Sequence, residues 1–387
     1  MSAPVMAGPG RTLTEVRSTF HDLVIGHPLL TQTLNRIKFY LEASTPYVVF
    51  VIGPTGVGKT TTRNLLIEHI ERESHEYPRG WVPVGGIRAV APTSGRFDWI
   101  DCWKRCLSAI YEPLIDFKVA PPDPDTIVGP RDAERTYRMA VESAIRHRHL
   151  RAFWFDEAHH MAMTASGKTG RAHAEALKSL SEETDVPLVL FGHYELYELK
   201  NLTGQLIRRT KTIHFPRYNL ADKTEAEQFR NILYTFERRL PLAPGESLTA
   251  HLETCYQETL GLVGILKEWL EAGLMVAASE SPDAQLRWRH LAEGRRSREE
   301  RRAILNELLE GEKKFDPRVD ATAEDDALCG LEAYRLTQQR EQKASPQAKS
   351  ATPKQQSKPR RPGQTKPKRH PVGSTTSEAG SKVPEVE

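Results

Sequence analysis

A glycine-rich segment at residues 53–60 has the residue types and the spacing that bind a polyphosphate. It reads Gly53-Pro54-Thr55-Gly56-Val57-Gly58-Lys59-Thr60 and matches the pattern GxxxxGK[ST]. Glycines let successive backbone N–H groups turn around an anion without a Cβ clash, and the helix that follows adds its positive dipole end. We expect this segment, with Thr61, to bind ATP: Lys59 reaches the β- and γ-phosphates and the Thr60 hydroxyl ligates Mg²⁺.

Two adjacent carboxylates follow an apolar run. Residues 152–155 predict a buried strand, and Asp156 and Glu157 stand at its C-terminal end, the edge where ligands bind in open α/β sheets. We expect Asp156 to hold Mg²⁺, directly or through water, and Glu157 to orient and deprotonate the attacking water. His159 and His160 extend the string to Asp-Glu-Ala-His-His, which overlaps a helicase motif, but the chain is too short for two tandem helicase domains. Adjacent histidines diverge on a helix, so we expect local hydrogen bonds from them rather than metal binding.

Four more side chains are candidates for sensing the γ-phosphate. His193 follows the apolar run Leu188–Phe191, and a histidine in a surface loop is the alternative. Arg208 or Arg209 precedes the last predicted strand, where a permanently charged guanidinium can reach the ATP of a neighbouring subunit. Lys267 lies near the start of a later helix and can reach the γ-phosphate from there. For the arginines and for Lys267 the alternative is an ordinary solvated helix position.

The elements that must position these residues alternate between strand and helix. Helical patterns lie between five short apolar runs, so the sequence predicts an α/β fold with a mostly parallel sheet. The predicted strands are Tyr47–Ile52, Gly86–Val90, Ala152–Phe155, Leu188–Phe191 and Thr212–Phe215. Before the first strand, the pattern from Thr19 to Ala43 is helical, and after Tyr218 only helices are predicted.

Composition divides the rest of the chain. We expect a flexible leader at residues 1–18, an α/β ATPase domain at 19–218, a helical lid at 219–280, a charged helical extension at 281–337 and a disordered basic tail at 338–387. Residues 331–387 contain 12 Lys and Arg against 5 Asp and Glu, whereas the whole chain has a net charge of only +3. The tail is therefore basic and the globular part mildly acidic.

Composition also predicts the cellular compartment and the state of the cysteines. No apolar run is long enough to span a membrane and the N-terminus has no signal-peptide pattern, so we expect a cytoplasmic protein. The cysteines lack a CxxC pair, and we expect them to be reduced packing residues rather than metal ligands. They are Cys102, Cys106, Cys255 and Cys329.

The order of these parts resembles the AAA+ superfamily. Within it, the sequence resembles the TnsC/TniB family of transposition regulators, relatives of the ORC/Cdc6-type initiator ATPases. The resemblance covers approximately residues 19–315. The residues that carry it are Ile25-Gly26-His27-Pro28, Gly53–Thr61, Phe155–His160, Pro187–His193, Glu195-Leu196, Arg209, Phe215–Tyr218 and Ile304–Phe315.

The resemblance implies an AAA+ P-loop ATPase with a five-stranded parallel sheet and an α-helical lid. Such proteins oligomerise on double-stranded DNA as rings or helical filaments in the bacterial cytoplasm. They bridge a target selector, here of the TniQ type, and a transposase, and ATP hydrolysis remodels the assembly. The alternatives are an AAA+ replication initiator or helicase loader, and a P-loop signalling switch that does not act on DNA. His193 at the sensor position and Lys267 at the lid position depart from the usual pattern.

Contact with DNA has two candidate sites. The first surrounds the second predicted strand and the helix after it, a region that faces DNA in similar proteins. Its residues are Arg88, Arg96, Lys104 and Arg105. Phosphate contacts from such side chains are independent of sequence and sensitive to salt, and a solvated surface helix is the alternative. The second site is the basic tail, for which a solubilising extension is the alternative.

Overall fold

The computed structural model describes residues 13–91, 95–119, 129–162, 168–201, 210–282, 284–316 and 330–344; for residues 14, 168–173, 200, 201 and 344 it describes the backbone alone. The chain divides into two units, Met1–Arg340 and Glu341–Glu387, and all contacts described below lie within the first. The strands are β1 Val48–Ile52, β2 Val84–Arg88, β3 Ala152–Asp156, β4 Leu188–Gly192 and β5 Thr210–His214.

Thirteen helices are present among the described residues, besides short 3₁₀ turns that include Ala158–Met161. They are α1 Leu13–His21, α2 Pro28–Leu41, α3 Lys59–Glu73, α4 Trp99–Ala109, α5 Pro130–His147, α6 Lys168–Thr184, α7 Leu196–Asn201, α8 Lys223–Glu237, α9 Leu252–Thr259, α10 Val263–Glu280, α11 Trp288–Glu293, α12 Arg298–Lys313 and α13 Leu331–Ala344.

The five strands form one parallel sheet in the order β2-β3-β4-β1-β5. Every residue of β1 and of β4 is buried, which explains why these strands are continuous apolar runs rather than alternating ones. The predicted parallel α/β sheet of five strands is confirmed. Because all five strands run in the same direction, their carboxyl ends lie at one edge of the sheet.

Strand β2 lies two residues earlier than the sequence predicted. It contains Gly85 and Gly86, which weaken the strand pattern. At both positions side chains of other residues occupy the space that a Cβ would need. A Cβ on Gly86 would lie 2.2 Å from the ring of Trp154 on β3, so that ring fills the space over the strand. The glycines are therefore a packing requirement of this strand and not a sign of a loop.

The helical pattern predicted from Thr19 to Ala43 is two helices. His27 is the N-cap of α2 and accepts a hydrogen bond from the Leu30 amide at 3.4 Å, while Pro28 occupies the first turn. Helix α1 begins at Leu13, inside the segment expected to be a flexible leader. Leu13 is buried, and its amide donates to the Pro282 carbonyl at 2.8 Å, which fixes this end of the helix.

After β5 the described chain is helical, as predicted. Helices α8, α9 and α10 bury Phe229, Tyr256 and Leu266 in one hydrophobic core, which also takes in Leu305 and Leu308 of α12. The charged helix α12 thus has a buried apolar face and packs with the lid. Helix α13 covers residues 331–344, so the first residues of the segment expected to be a disordered tail are helical; residues 345–387 lie outside the described part.

Two further predictions concern the cysteines and membrane-spanning segments. Cys102, Cys106 and Cys255 are free and buried, in agreement with a packing role, and Cys329 lies outside the described residues. Within the described ranges, no helix combines the length and the apolar character that a membrane span needs.

Candidate nucleotide-binding site

The glycine-rich loop joins the C-terminal end of β1 to the first turn of α3. Gly56 and Gly58 have positive φ angles of 75° and 110°, a conformation that favours glycine. A Cβ on Gly53 would lie 2.3 Å from the Phe215 carbonyl oxygen, so the loop passes directly over the end of β5. Gly58 caps α3 without a side-chain hydrogen bond, which leaves the first amides of that helix facing the loop for an anion.

Lys59 is a buried cation at the centre of this loop. Its side chain is 9% exposed, and its Nζ donates to the carbonyls of Gly53 and Pro54, each at 2.8 Å. Burial lowers the pKa of Lys59 to about 8, against the opposing effect of the carboxylates of Glu157, Asp156 and Glu307. A polyanion in the loop stabilises the charged form of this poorly solvated ammonium group, in agreement with the predicted phosphate-binding role.

Asp156 lies across from α3, at the end of β3. Its Oδ1 accepts from the Glu157 amide at 3.1 Å, and its Oδ2 pairs with Nη1 of Arg63. Carboxylate and hydroxyl oxygens are the ligands that Mg²⁺ prefers, so Asp156 and Thr60 are the donors that would hold it here. Arg63 was not predicted at this site. The signal for it was its position four residues after Lys59, on the same face of α3.

Glu157 leaves the strand in a left-handed conformation, with φ 51° and ψ 34°. This conformation is costly for a residue with a side chain and is concentrated at functional sites. Its carboxylate lies 3.6 Å from His193 Nε2, 3.4 Å from His159 Nδ1 and 3.9 Å from Arg88 Nη2. The turn therefore directs the predicted base toward the neighbouring strand end instead of continuing the line of β3.

His193 is the polar residue after β4, and it contacts both halves of the site. Its Nδ1 lies 3.3 Å from Thr55 Oγ1 of the glycine-rich loop, and its Nε2 faces Glu157. Burial lowers the pKa of His193 to about 3 and that of His159 to about 4, with nearby positive charges acting in the same direction. Both imidazoles are therefore neutral at pH 7. His193 thus contacts both the glycine-rich loop and Glu157, and its role as a γ-phosphate sensor stays a prediction; His159 joins it although only local bonds were predicted.

The lid reaches the loop through the first turn of α10. The Gly264 amide donates to the Gly56 carbonyl at 2.7 Å, and a Cβ on Gly264 would lie 2.5 Å from that oxygen. Lys267 is not brought to the loop: its Nζ donates to the His21 carbonyl and lies 3.8 Å from Glu271. Lys267 points toward α1, so the described contacts of this turn with Gly56 come from Gly264 and Ile265, and a γ-phosphate contact by Lys267 stays a prediction.

Helix α12 packs against the strand ends next to the site. A Cβ on Gly311 would lie 2.0 Å from the ring of Tyr194, so glycine lets the helix approach this residue, which follows His193 directly. Glu312 pairs with the buried guanidinium of Arg217 at 3.0 Å, and Phe315 stacks on His214 at 4.2 Å between ring centroids. The charged extension therefore packs against the carboxyl ends of β4 and β5.

Two of the residues predicted to contact DNA, Arg88 and Arg105, line one pocket, and three of the four lie near acidic side chains. Arg88 is 75% exposed and lies at the end of β2 near Glu157. Lys104 pairs with Asp116 at 2.9 Å and Arg105 with Asp101 at 2.6 Å, while Arg96 is exposed. Trp99 and Trp103 on the same helix are buried packing residues. Arg208 and Arg209, the candidate arginine fingers, lie outside the described residues.

Comparison with known proteins agrees with this geometry. Residues 42–199 match the family described as AAA domain. No protein of curated function matches the chain. The chain is similar in structure to the Aeropyrum pernix ORC1 protein solved in complex with DNA, at 16% identity over 80% of this chain and 73% of that chain, with a TM-score of 0.50.

Two further solved structures are similar at lower scores. The Aeropyrum pernix ORC2 protein in its ADP form has 16% identity over 72% of this chain and 71% of that chain, with a TM-score of 0.44. Drosophila ORC bound to DNA has 12% identity over 88% and 82% of the two chains, with a TM-score of 0.43. With the five-stranded parallel sheet, the glycine-rich loop between β1 and α3 and the AAA domain match, the chain has the AAA+ P-loop fold.

Proposed function

We propose that the chain is an ATP-dependent, DNA-binding AAA+ regulator of transposition that oligomerises on duplex DNA and bridges a target selector of the TniQ type and a transposase. The observation that carries the ATPase part is the grouping of Lys59, Asp156, Glu157 and His193 at the carboxyl ends of adjacent strands. Four predicted chemical roles, drawn from three separate segments of the sequence, meet at one edge of the sheet.

In the proposed reaction, Lys59 and the first amides of α3 bind and orient the β- and γ-phosphates of ATP. Thr60 and Asp156 would hold Mg²⁺, which neutralises charge that develops on the phosphates. Glu157 accepts the proton of a water aligned with the γ-phosphorus, and such general base catalysis contributes about 10²- to 10⁴-fold to a rate. Neutral His193 donates a hydrogen bond near the γ-phosphate and so distinguishes ATP from ADP.

Two observations support the DNA and transposition parts. The TnsC/TniB resemblance extends over both domains, and the similar Aeropyrum pernix ORC1 protein was solved in complex with DNA. The second candidate is an AAA+ replication initiator or helicase loader, which that same likeness favours.

The test uses the full chain, a duplex DNA and a nonhydrolysable ATP analogue in electron microscopy. We expect regular rings or helical filaments on the DNA that require the analogue and are absent with the Lys59→Ala variant. The assembled protein should then bind the transposase encoded nearest to it and not the replicative helicase of the same organism. Nucleotide-independent coating of DNA, or binding of the helicase alone, would contradict the proposal.

A further inference from the structure

A group of three metal-ligand side chains lies at the ends of β3 and β4. One carboxylate oxygen of Glu157 and one ring nitrogen each of His159 and His193 all lie within 4.8 Å of one another. Glu157 Oε2 is 3.4 Å from His159 Nδ1 and 3.6 Å from His193 Nε2. ATP hydrolysis requires the carboxylate and one sensor side chain, so the second imidazole is not explained by that reaction.

The spacing matches a tetrahedral zinc site. With metal–ligand bonds of about 2.1 Å, the ligand atoms of a tetrahedron are about 3.4 Å apart. Two of the three edges of the group, at 3.4 and 3.6 Å, already have this length. The third edge, between the two imidazole nitrogens, lies within 4.8 Å and must shorten when a tetrahedral ion binds. Two histidines and one carboxylate with an open fourth position are also a common protein ligand set for Zn²⁺.

One ligand atom of the group, His159 Nδ1, is buried without a hydrogen-bond partner among the described residues. His159 is 7% exposed, and in the described part of the chain its Nδ1 has no hydrogen-bond partner although it faces Glu157. A buried polar atom in this state is uncommon and destabilising. A cation between the carboxylate and the nitrogen lone pairs removes that cost.

His193 has the outer contact that metal-binding histidines use. Its Nδ1 lies 3.3 Å from Thr55 Oγ1, and a hydrogen bond from Nδ1–H to that hydroxyl leaves the Nε2 lone pair directed at Glu157. Such second contacts fix the tautomer and the ring orientation of a metal ligand. The only cation within ion-pair distance of Glu157 in the described structure, other than the histidines, is Arg88, which is 75% exposed and free to turn toward solvent.

We propose that Glu157, His159 and His193 form a Zn²⁺ site, and that the bound ion inhibits hydrolysis by occupying the carboxylate that must take the proton from water. Imidazole ligands favour Zn²⁺ over Mg²⁺, which prefers oxygen, so this site is distinct from the one that Thr60 and Asp156 would form. The inhibitory half rests on the proposed function, whereas the binding half does not.

The binding test is titration of the full, metal-free chain with Zn²⁺ alone by calorimetry, without nucleotide. Co²⁺ serves as a second probe, since its visible absorption reports four-coordinate geometry. We expect one site whose affinity falls at least about tenfold in His159→Gln and in His193→Asn. His160→Ala, which changes the histidine beside His159 but not the group, is the matched control and should retain wild-type affinity. Thermal unfolding of each variant verifies that it is folded.

The outcomes for zinc binding and for inhibition are distinguishable. Absence of a site in the wild type, or equal affinity in the wild type and both folded histidine variants, overturns the proposal. In the second arm, ATP hydrolysis is measured in excess Mg²⁺ with increasing Zn²⁺; we expect loss of turnover with nucleotide still bound, and resistance in His159→Gln. Zn²⁺ that binds at the three residues without slowing hydrolysis would keep the metal site and reject Glu157 as the base of the proposed function.

Discussion

At the scale of single residues, each charged group of the site already has a partner within the chain. Lys59 donates to two loop carbonyls, Asp156 pairs with Arg63, and Glu157 lies beside His193 and Arg88. Binding of a magnesium nucleotide is therefore an exchange of partners: Lys59 leaves the carbonyls for phosphate, and Arg63 gives up the carboxylate that would hold the metal. The affinity for each ligand component then depends on the strength of the contact that it replaces.

Arg63 gives the first prediction. The Arg63→Ala variant removes the cation that competes for Asp156, so we expect ATP hydrolysis to reach half its maximum at an Mg²⁺ concentration about 3- to 10-fold lower than in the wild type, a change of about 1 kcal/mol. The measurement is the ATPase rate against free Mg²⁺. Arg72→Ala, which changes an exposed arginine on the same helix paired with Glu68 at 3.8 Å, is the control. An unchanged or increased Mg²⁺ requirement in Arg63→Ala would be the opposite of what competition predicts.

Lys59 gives a prediction about pH. Its lowered pKa of about 8 means that the free protein loses this charge as the pH rises through 8, while bound phosphate favours the protonated form and raises the pKa. Binding of ATP should therefore take up a proton at pH 8.5 and weaken above that pH, with little proton uptake at pH 7. Calorimetry of ATP binding in buffers with different ionisation enthalpies measures the uptake directly. Equal proton uptake at pH 7 and pH 8.5 would show that Lys59 is not the group involved.

At the scale of elements, the lid and the loop are joined by main-chain atoms. The first turn of α10 rests on Gly56 through the Gly264 amide, and Ile265 packs against the same residue. A change in loop conformation when phosphate binds is thus passed directly to the lid helix. Helix α12 packs on Tyr194, which follows His193 directly. Helices α10 and α12 therefore both contact the residues that follow the strands at this edge of the sheet.

The contact between the helix and the loop gives the third prediction. The Gly264→Ala variant places a Cβ 2.5 Å from a main-chain oxygen that has no freedom to rotate away, so α10 must move back from the loop. At an overpacking cost of about 1–3 kcal/mol, we expect ATP affinity to fall about tenfold and the unfolding temperature to drop. Gly129→Ala, whose Cβ meets, among the described residues, Asp132 alone at 3.8 Å, is the control for the substitution itself. Wild-type affinity in Gly264→Ala would mean that the contact is not maintained in the nucleotide-bound state.

The elements that the sequence predicted best are those with a local signal. Strands β1, β3 and β4 are continuous apolar runs, and their bounds match the structure within one residue. Strand β2 was predicted two residues late because its glycines weaken the strand pattern, and the Trp154 ring that fills the space over Gly86 cannot be predicted from the sequence. The helix pattern before β1 missed the break that His27 and Pro28 make. Both depend on contacts or caps that hydrophobic periodicity does not contain.

The same distinction applies to the site. The glycine-rich loop and the acid pair were found because motif and strand end coincide in sequence. The pairing of His159 with His193 was missed, because the two residues follow different strands, and the order that places β3 beside β4 is a property of the sheet alone. In the sequence His159 stands beside His160, which is not part of the group. The partner of Asp156 and the direction of Lys267 likewise depend on tertiary contacts.

At the scale of the whole molecule, charge is divided between segments. Outside residues 331–387 acidic residues outnumber basic ones, so the folded part has no net attraction for DNA, and any contact must come from local groups or from the tail. Lys104 and Arg105 are already paired with acids of their own surface. Assembly of several subunits would concentrate such weak contacts along a duplex, which fits a protein that binds DNA as an oligomer.

The proposed assembly gives a prediction about mixed subunits. The Arg208→Ala/Arg209→Ala variant lacks both candidate arginine fingers, and Lys59→Ala lacks the lysine that binds the phosphates. Each variant alone should therefore lose ATP hydrolysis. If an arginine acts across the interface, mixing the two restores activity, because Lys59→Ala subunits supply the missing arginine to an intact loop next to them. ATPase rates on DNA measure this, with Arg238→Ala/Arg239→Ala as the control pair. Full activity of the Arg208→Ala/Arg209→Ala variant by itself would reject the finger assignment.

The central claim, that the glycine-rich loop and the acid pair form one hydrolytic site, has a direct measurement. ATP binding and single-turnover hydrolysis are compared for the wild type, Lys59→Ala and Glu157→Gln. We predict that Lys59→Ala loses binding, and that Glu157→Gln binds ATP as the wild type does while its hydrolysis rate falls about 10²- to 10⁴-fold. Hydrolysis by Glu157→Gln at the wild-type rate would contradict the account.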